Sequence, residues 1–368
     1  MSKAAELAAL IGSQTAQTGR NLIINSAMAV AQRSASVTGI GATSGYFTLD
    51  RFKTTFGATS AGRFTMSQST VADLEGFSNA LKVDCTTADT SIAAGELFVI
   101  QHILEGFNLQ RLKASSTTTK SFTFSFYAKS NASRAIASEF EFTNGTNKHI
   151  SKLHTIGTSW ARYTMTVPAA SSTQIDDDNS AELTINFWLH AGSTYTSGTI
   201  NDDALAATTS ANRAPGIGSL FASTNNTLEI TGVQLEVGDV ATPFEHEDFG
   251  TTLAKCQRYT YIMSSSTSSA TTEFINGAAY SASQVNAGMD LPVTMRATPT
   301  VTYGNATGAY RFYRAGGNDP FDTLESDNPT NLHLQFAGTA GLSHTSGVAG
   351  SVQLRYGDGA FVKADAEL

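Results

Sequence analysis

The chain is 368 residues long and carries 23 Lys and Arg against 31 Asp and Glu, a formal charge of −8. That balance argues against a duplex nucleic-acid binder, which presents a basic face to phosphates. Charged residues make up only 15%, below the roughly one quarter of ordinary soluble domains, while Ser and Thr together supply about a quarter, a surface that suits sheet better than helix.

The length permits two domains or one large β domain, with a core that needs neither metals nor disulfide staples. Cys85 and Cys256 stand in separate segments, and one candidate pair does not make a redox framework, so both read as free thiols. There is no apolar run of membrane-spanning length and no basic-then-apolar signal pattern at the start. The expectation is a protein made in a cytoplasm, with no membrane insertion.

In chain order, the first element is a helix over Lys3 to Ile11, with Leu7, Leu10 and Ile11 on one stripe and Gly12 and Ser13 ending it. A helix this short is marginal alone in water. It either docks on copies of itself or a partner, or caps the body of its own chain. From Asn21 the text turns to short β-type runs between Gly, Asn, Asp and Ser-rich turns. Phe122, Phe124 and Phe126 alternate with Thr123 and Ser125, the period of a half-buried strand. Trp160–Val167, Ala181–Leu189 and Thr227–Val237 add further runs. Many short strands with almost no helical text between them predict an antiparallel β-sandwich.

A second, smaller β domain is expected from 249, opening with a helical turn that runs into a strand over Thr251 to Met263. Strands then follow at Glu273–Tyr280, Gly288–Met295, Pro299–Tyr303, Leu332–Phe336 and Ser351–Tyr356.

Candidate chemistry is sparse. The seven histidines form no His-x-x-x-His pair and no Cys-rich cluster, and His149 and His154 fall on opposite faces if their segment is a strand. Asp176–Asp178 lacks the spacing of a calcium loop and reads as a solvated edge. No Gly-x-Ser-x-Gly elbow occurs, although two carboxylates brought together by the fold are all a glycosidase needs. Trp160 and Trp188 sit in amphipathic strand text and read as core before sugar platforms. Tyr303, Tyr310, Phe312, Tyr313 and Phe321 lie among Gly, Asn and Asp. Either they contact a glycan or protein from exposed loops, or they fill the core of the small domain.

Particular residues carry a resemblance. Asn21–Arg33 (NLIINSAMAVAQR) followed by Tyr46–Lys53 (YFTLDRFK) resembles the opening of bacteriophage tail-fibre and minor structural proteins, with Asn25, Gln32, Arg33, Asp50 and Arg51 at the matching positions. Ser26 and Ser34 replace the usual glycines, and Phe52 a tryptophan. Val233–Phe244 (VQLEVGDVATPF) resembles the closing strand of their jelly rolls and of related carbohydrate-binding modules. Phe124–Ser130, the Trp160 strand, Cys256–Tyr259 with Gln257 and Arg258, and Leu291–Thr302 occupy further matching places.

The resemblance implies a helix at 1–19 for attachment or oligomerisation, a jelly-roll sandwich at 20–248 and a C-terminal β domain at 249–368. It implies a structural virion protein of the tail, a fibre-like adhesion subunit assembled in the host cytoplasm without a cofactor. Its partners would be itself, as a homotrimer, other virion proteins through the N-terminal segment, and a host-surface glycan. The alternatives are a tail polysaccharide depolymerase and a capsid head-fibre or decoration protein. The motif residues are then structural: Asp50 and Arg51, adjacent in a strand, point to opposite faces and are tied to different neighbours.

Overall fold

The structure, a computed structural model, describes residues 19–58, 60–171, 173–264, 272–355 and 360–368. It divides into two compact units, one running to Thr252 and including Leu368, the other from Leu253 to Glu367. The expected helix bearing Leu7, Leu10 and Ile11 lies outside the described residues. Among those described, no helix is long and apolar enough to cross a membrane.

The first unit holds β1 (Ser36–Ile40), β2 (Lys53–Gly57), β3 (Arg63–Thr70), β4 (Asn79–Thr87), β5 (Leu97–Glu105), β6 (Lys113–Ser115), β7 (Thr118–Thr119), β8 (Phe122–Ser130), β9 (Arg134–Phe142), β10 (Lys148–Ile156), β11 (Ala161–Val167), β12 (Ala170–Ser171), β13 (Ala181–Ala191), β14 (Ala206–Ala207) and β15 (Thr227–Val237). Two six-stranded sheets, β1-β3-β4-β15-β8-β11 and β14-β10-β9-β13-β5-β2, and a short third one, β12-β7-β6, form from these. The chain passes back and forth between the large sheets, so antiparallel neighbours such as β15 and β8 are distant in sequence. This is an all-β jelly-roll sandwich.

Phenylalanines from both sheets fill its core. Phe124 meets Phe140 edge-on at 5.2 Å, Phe126 meets Phe187 at 5.0 Å, and Phe64 stacks on Phe98 at 4.5 Å. Each such ring contributes its buried area and a geometry-dependent term of about 1 kcal/mol per pair. One expectation needs correcting: β8 is buried on both faces, because Thr123 and Ser125 are as enclosed as the phenylalanines. The Thr123 hydroxyl donates to the Gly238 carbonyl, and Arg162 Nη2 donates to Ser125 Oγ and the Thr242 carbonyl. The chain after β15 has folded over that face.

The second unit holds β16 (Thr260–Ser264), β17 (Thr272–Ser281), β18 (Gln284–Asp290), β19 (Thr300–Tyr303), β20 (Tyr310–Arg314), β21 (Gly317–Phe321), β22 (Thr323–Ser326), β23 (His333–Thr339), β24 (Ala349–Leu354) and β25 (Phe361–Asp365). A three-stranded sheet, β16-β25-β19, and a seven-stranded sheet, β21-β20-β24-β17-β18-β23-β22, enclose one core. The strand expected over Gly288–Met295 ends at Asp290, since Pro292 has no amide to give to a ladder.

The expected helical turn is the helix Phe249–Gln257. Asp248 caps it, accepting from Thr251 N at 2.9 Å and from the Thr251 hydroxyl. Those bonds hold the Asp248 carboxyl below its ordinary pKa.

Candidate functional site

Strand alternation gives the seven-stranded sheet of the second unit one apolar and one polar face. Inward go Phe312, Phe321, Val285, Leu334, Phe336 and Val352, all buried. Outward, the register lines up one row of side chains across the strands. Gln335 of β23 pairs with Gly288 of β18, Asn276 of β17 with Ser351 of β24, Ser351 with Tyr313 of β20, and Tyr313 with Asn318 of β21. The pairing of Gly277 with Ala287 sets Asn276 beside Gly288. At the usual strand spacing the row is about 24 Å long.

Near one end of it, beside Gln335, Gly288 leaves a notch. With Ala278 and Gly277 it floors a groove of about 450 Å³ whose walls are Asn276, Asn286, His333 and Gln335. A Cβ at Gly288 would stand 3.0 Å from His333 Nε2, so the missing side chain keeps the groove open. His333 Nδ1 is fixed by Asp290 Oδ1 at 2.8 Å, and Asn286 Oδ1 accepts from Gln284 Nε2 at 2.8 Å. The side-chain amides of Asn276 and Gln335 have no hydrogen-bond partner among the described residues. Together these groups offer planar amide donors and acceptors beside a floor with nothing larger than a methyl group, which is what a ring edged with hydroxyls can use.

At the other end of the row Tyr313 is 49% exposed. The Arg311 guanidinium carbon lies 5.7 Å from its ring centroid, and Arg311 Nε and Nη2 donate to Gln353 Oε1 at 2.8 and 2.5 Å.

Of the aromatic candidates, then, the structure leaves Tyr313 on the surface. Tyr310, Phe312 and Phe321 are corrected to core residues. Tyr310 stacks on Phe321 at 5.4 Å and Phe312 packs against His344 at 5.4 Å. Tyr310 donates its hydroxyl to the Phe361 carbonyl. Tyr303 is part-buried, and burial pushes its hydroxyl up to about 12. The reason is register: Tyr310 and Phe312 share the inner face of β20, and Tyr313 takes the outer one.

In the first unit the outer face of β14-β10-β9-β13-β5-β2 carries the other constellation. Thr55 donates to Gln101 Oε1, Gln101 Nε2 to Asn186 Oδ1 at 2.7 Å, and Asn186 Nδ2 to Glu139 Oε2 at 2.9 Å. The Trp188 indole N–H also reaches Glu139 Oε2, at 2.7 Å. This ladder is closed over by the chain's own segment between β13 and β15, whose Tyr195, Ala214 and Ile217 pack on Trp188. Arg213 lies over the indole and bonds both Glu139 and Glu141. Burial raises the Glu141 carboxyl while Arg213 pulls it back down. Trp188 is thus a core residue, and Trp160 is half-buried with its N–H on Asp73 at 2.9 Å and Lys129 above the ring. Neither Glu139 nor Arg213 stood out in the sequence, because each lies in a different run and only the fold joins them.

The motif residues form a buried knot. Asn25 adopts φ +59°; its Nδ2 donates to the Val30 and Asp50 carbonyls and its Oδ1 accepts from Val30 N at 2.9 Å. Asp50 accepts from Gln32 N at 3.1 Å and Gln32 Nε2 at 2.5 Å, and pairs with Arg33 at 3.5 Å. Arg51 turns the other way, donating to the Ile103 carbonyl. Asp50 and Arg51 do meet different neighbours, but from a turn: Arg51 has φ +72° and the strand begins at Lys53. In the second unit Gln257 ends the helix, and the Arg258 carbonyl accepts from Arg296 N at 2.8 Å.

No protein-family model matches the chain, and no curated protein matches it in sequence. Among solved structures, the enzymatically active domain of bacteriophage CBA120 tailspike protein 4 overlaps at a TM-score of 0.31 and 12% identity, over 60% of this chain and 22% of that one. The family 11 carbohydrate-binding module of a Clostridium thermocellum cellulosomal cellulase overlaps at 0.29 and 12%, over 57% and 100%. TmCBM61, solved with β-1,4-galactotriose, overlaps at 0.28 and 10%, over 60% and 100%. This chain therefore spans about a fifth of the length of the tailspike chain. Overlaps of this size leave the architecture to be read from the chain's own strand order.

Proposed function

We propose that this chain is a non-enzymatic virion component, a phage tail-fibre or fibre-like adhesion subunit, that holds a host-surface glycan on the outer face of its second unit. The observation that carries the binding reading is the open row from Gln335 to Tyr313, with the Gly288 notch between two amides that have no partner among the described residues. The virion reading is supported by the tail-fibre motif, whose Asn25, Gln32, Arg33 and Asp50 bond one another into a single structural knot.

A shallow groove of this kind holds one chain weakly. Copies presented together bind by effective concentration, so adhesion is a property of the assembled fibre. A homotrimer supplies that multivalency, and low surface charge suits a subunit that packs on itself.

The test is retention of the purified full chain on host-surface polysaccharide, with its mass in solution measured by light scattering. Retention by a trimer, without release of reducing ends, is the expected outcome. Polysaccharide cleavage that disappears when a carboxylate pair is substituted would overturn the non-enzymatic reading, and a stable monomer would overturn the trimer. Labelled antibody on intact virions would locate the protein on tail or head.

A further inference from the structure

We infer that the glycan held on this face is anionic, and that Arg311 is the residue that reads its charge; the inference rests on the glycan-binding reading above. Arg311 lies outward on β20 between two neutral cross-strand neighbours, Pro320 of β21 and Gln353 of β24. Its Nε and Nη2 are held by the Gln353 side-chain oxygen, which fixes the plane of the guanidinium without neutralising it. Nη1 has no partner among the described residues. The nearest acid along the hairpin, Asp319, is taken by Arg314 at 2.8 Å. An acid across the strand would stabilise a sheet arginine; this one faces an amide and a proline.

Beside it stands Tyr313, half exposed, with the guanidinium 5.7 Å from the ring centroid. A pre-oriented guanidinium that bonds no carboxylate among the described residues, next to an exposed aromatic ring, forms a subsite for a sugar with an anionic substituent. The ring takes the apolar face of the sugar, and the fork takes a uronate carboxylate or a phosphate. The groove at Gly288 lies three strands away, at about 14 Å, so one linear chain can engage both places at once. Neutral units contact Asn276, Asn286 and Gln335, and the charged unit contacts Arg311.

The experiment uses the full chain and an immobilised panel. Polygalacturonate, alginate and hyaluronate are each paired with their carboxyl-reduced forms, and a phosphorylated lipopolysaccharide core oligosaccharide is paired with its dephosphorylated form. Wild-type protein should hold at least one acidic member about tenfold more tightly than its neutralised partner, the size of one charge-assisted hydrogen bond. Which pair shows the difference tells carboxylate from phosphate. Arg311→Gln should erase the preference while leaving the weaker binding to the neutral partner, and Tyr313→Ala should weaken both. Equal binding of charged and neutral partners, or a preference that survives Arg311→Gln, would overturn this inference and leave glycan binding standing. Retention of no member of the panel would overturn both. Unchanged urea midpoints of the variants exclude loss of fold as the cause.

Discussion

Arg213 grips Glu139 through two nitrogens, Nε at 2.6 Å from one carboxylate oxygen and Nη2 at 2.9 Å from the other. Glu139 is fully buried, so the pair is isolated from solvent on the acid's side. Breaking such a pair strands a charge in a low-dielectric site. Arg213→Ala should therefore lower the unfolding free energy by about 3–5 kcal/mol, read from urea denaturation. Adding Glu139→Gln and Glu141→Gln should recover part of the loss, because no charge is then left unpaired.

Three buried histidines set an acid limit to stability. His102, His149 and His154 all have depressed pKa values, burial being the largest cause in each. His154, held at 2.8 Å by Ser138 Oγ, is brought from 6.5 to about 4. As the pH falls from 6.5 towards 4, the unfolded chain takes up a proton that the folded one refuses, so stability is present above 6.5 and lost below it. That group alone accounts for about 3 kcal/mol across this window. Urea midpoints of the wild type should drop steeply between pH 7 and pH 5, and His154→Gln should flatten part of the drop. A midpoint independent of pH in that range would contradict the burial of neutral imidazoles.

Asn25 combines a left-handed backbone with three side-chain hydrogen bonds. Asn25→Gly removes the bonds and keeps the backbone freedom, whereas Asn25→Ala loses both. The alanine variant should be less stable than the glycine variant by about 1–2 kcal/mol, measured by thermal or urea unfolding. Equal costs would show that the backbone conformation carries no penalty there.

What was legible in the sequence was whatever repeats with the period of a strand. The Phe122, Phe124 and Phe126 alternation, and the runs at Ala181 and Thr227, predict the sandwich because inward side chains recur every second residue. What lay hidden depends on cover and register. Nothing local in Thr123 or Ser125 announces that residues 238–242 will bury them. The turn at Arg51 reads as strand because its neighbours are β-type, and only φ +72° betrays it. Tyr310 and Tyr313 look alike in a Gly-rich stretch, yet a three-residue offset puts one in the core and the other in water. The groove itself is made by an absence, the missing side chain of Gly288, and becomes visible only once Gln335 and Asn276 are brought to either side of it.

That absence offers the most direct test. Gly288→Val places branched carbon where a Cβ would already stand 3.0 Å from His333 Nε2, in a strand position whose φ lies outside the left-handed region, so the sheet should accept it. The decisive measurement is the affinity of the full chain, wild type against Gly288→Val, for a host-surface polysaccharide that the wild type retains, with urea midpoints taken alongside. A loss of tenfold or more, about 1.4 kcal/mol of binding, with the midpoints unchanged, is the predicted result. Undiminished binding by Gly288→Val would contradict the placement of the glycan on this face.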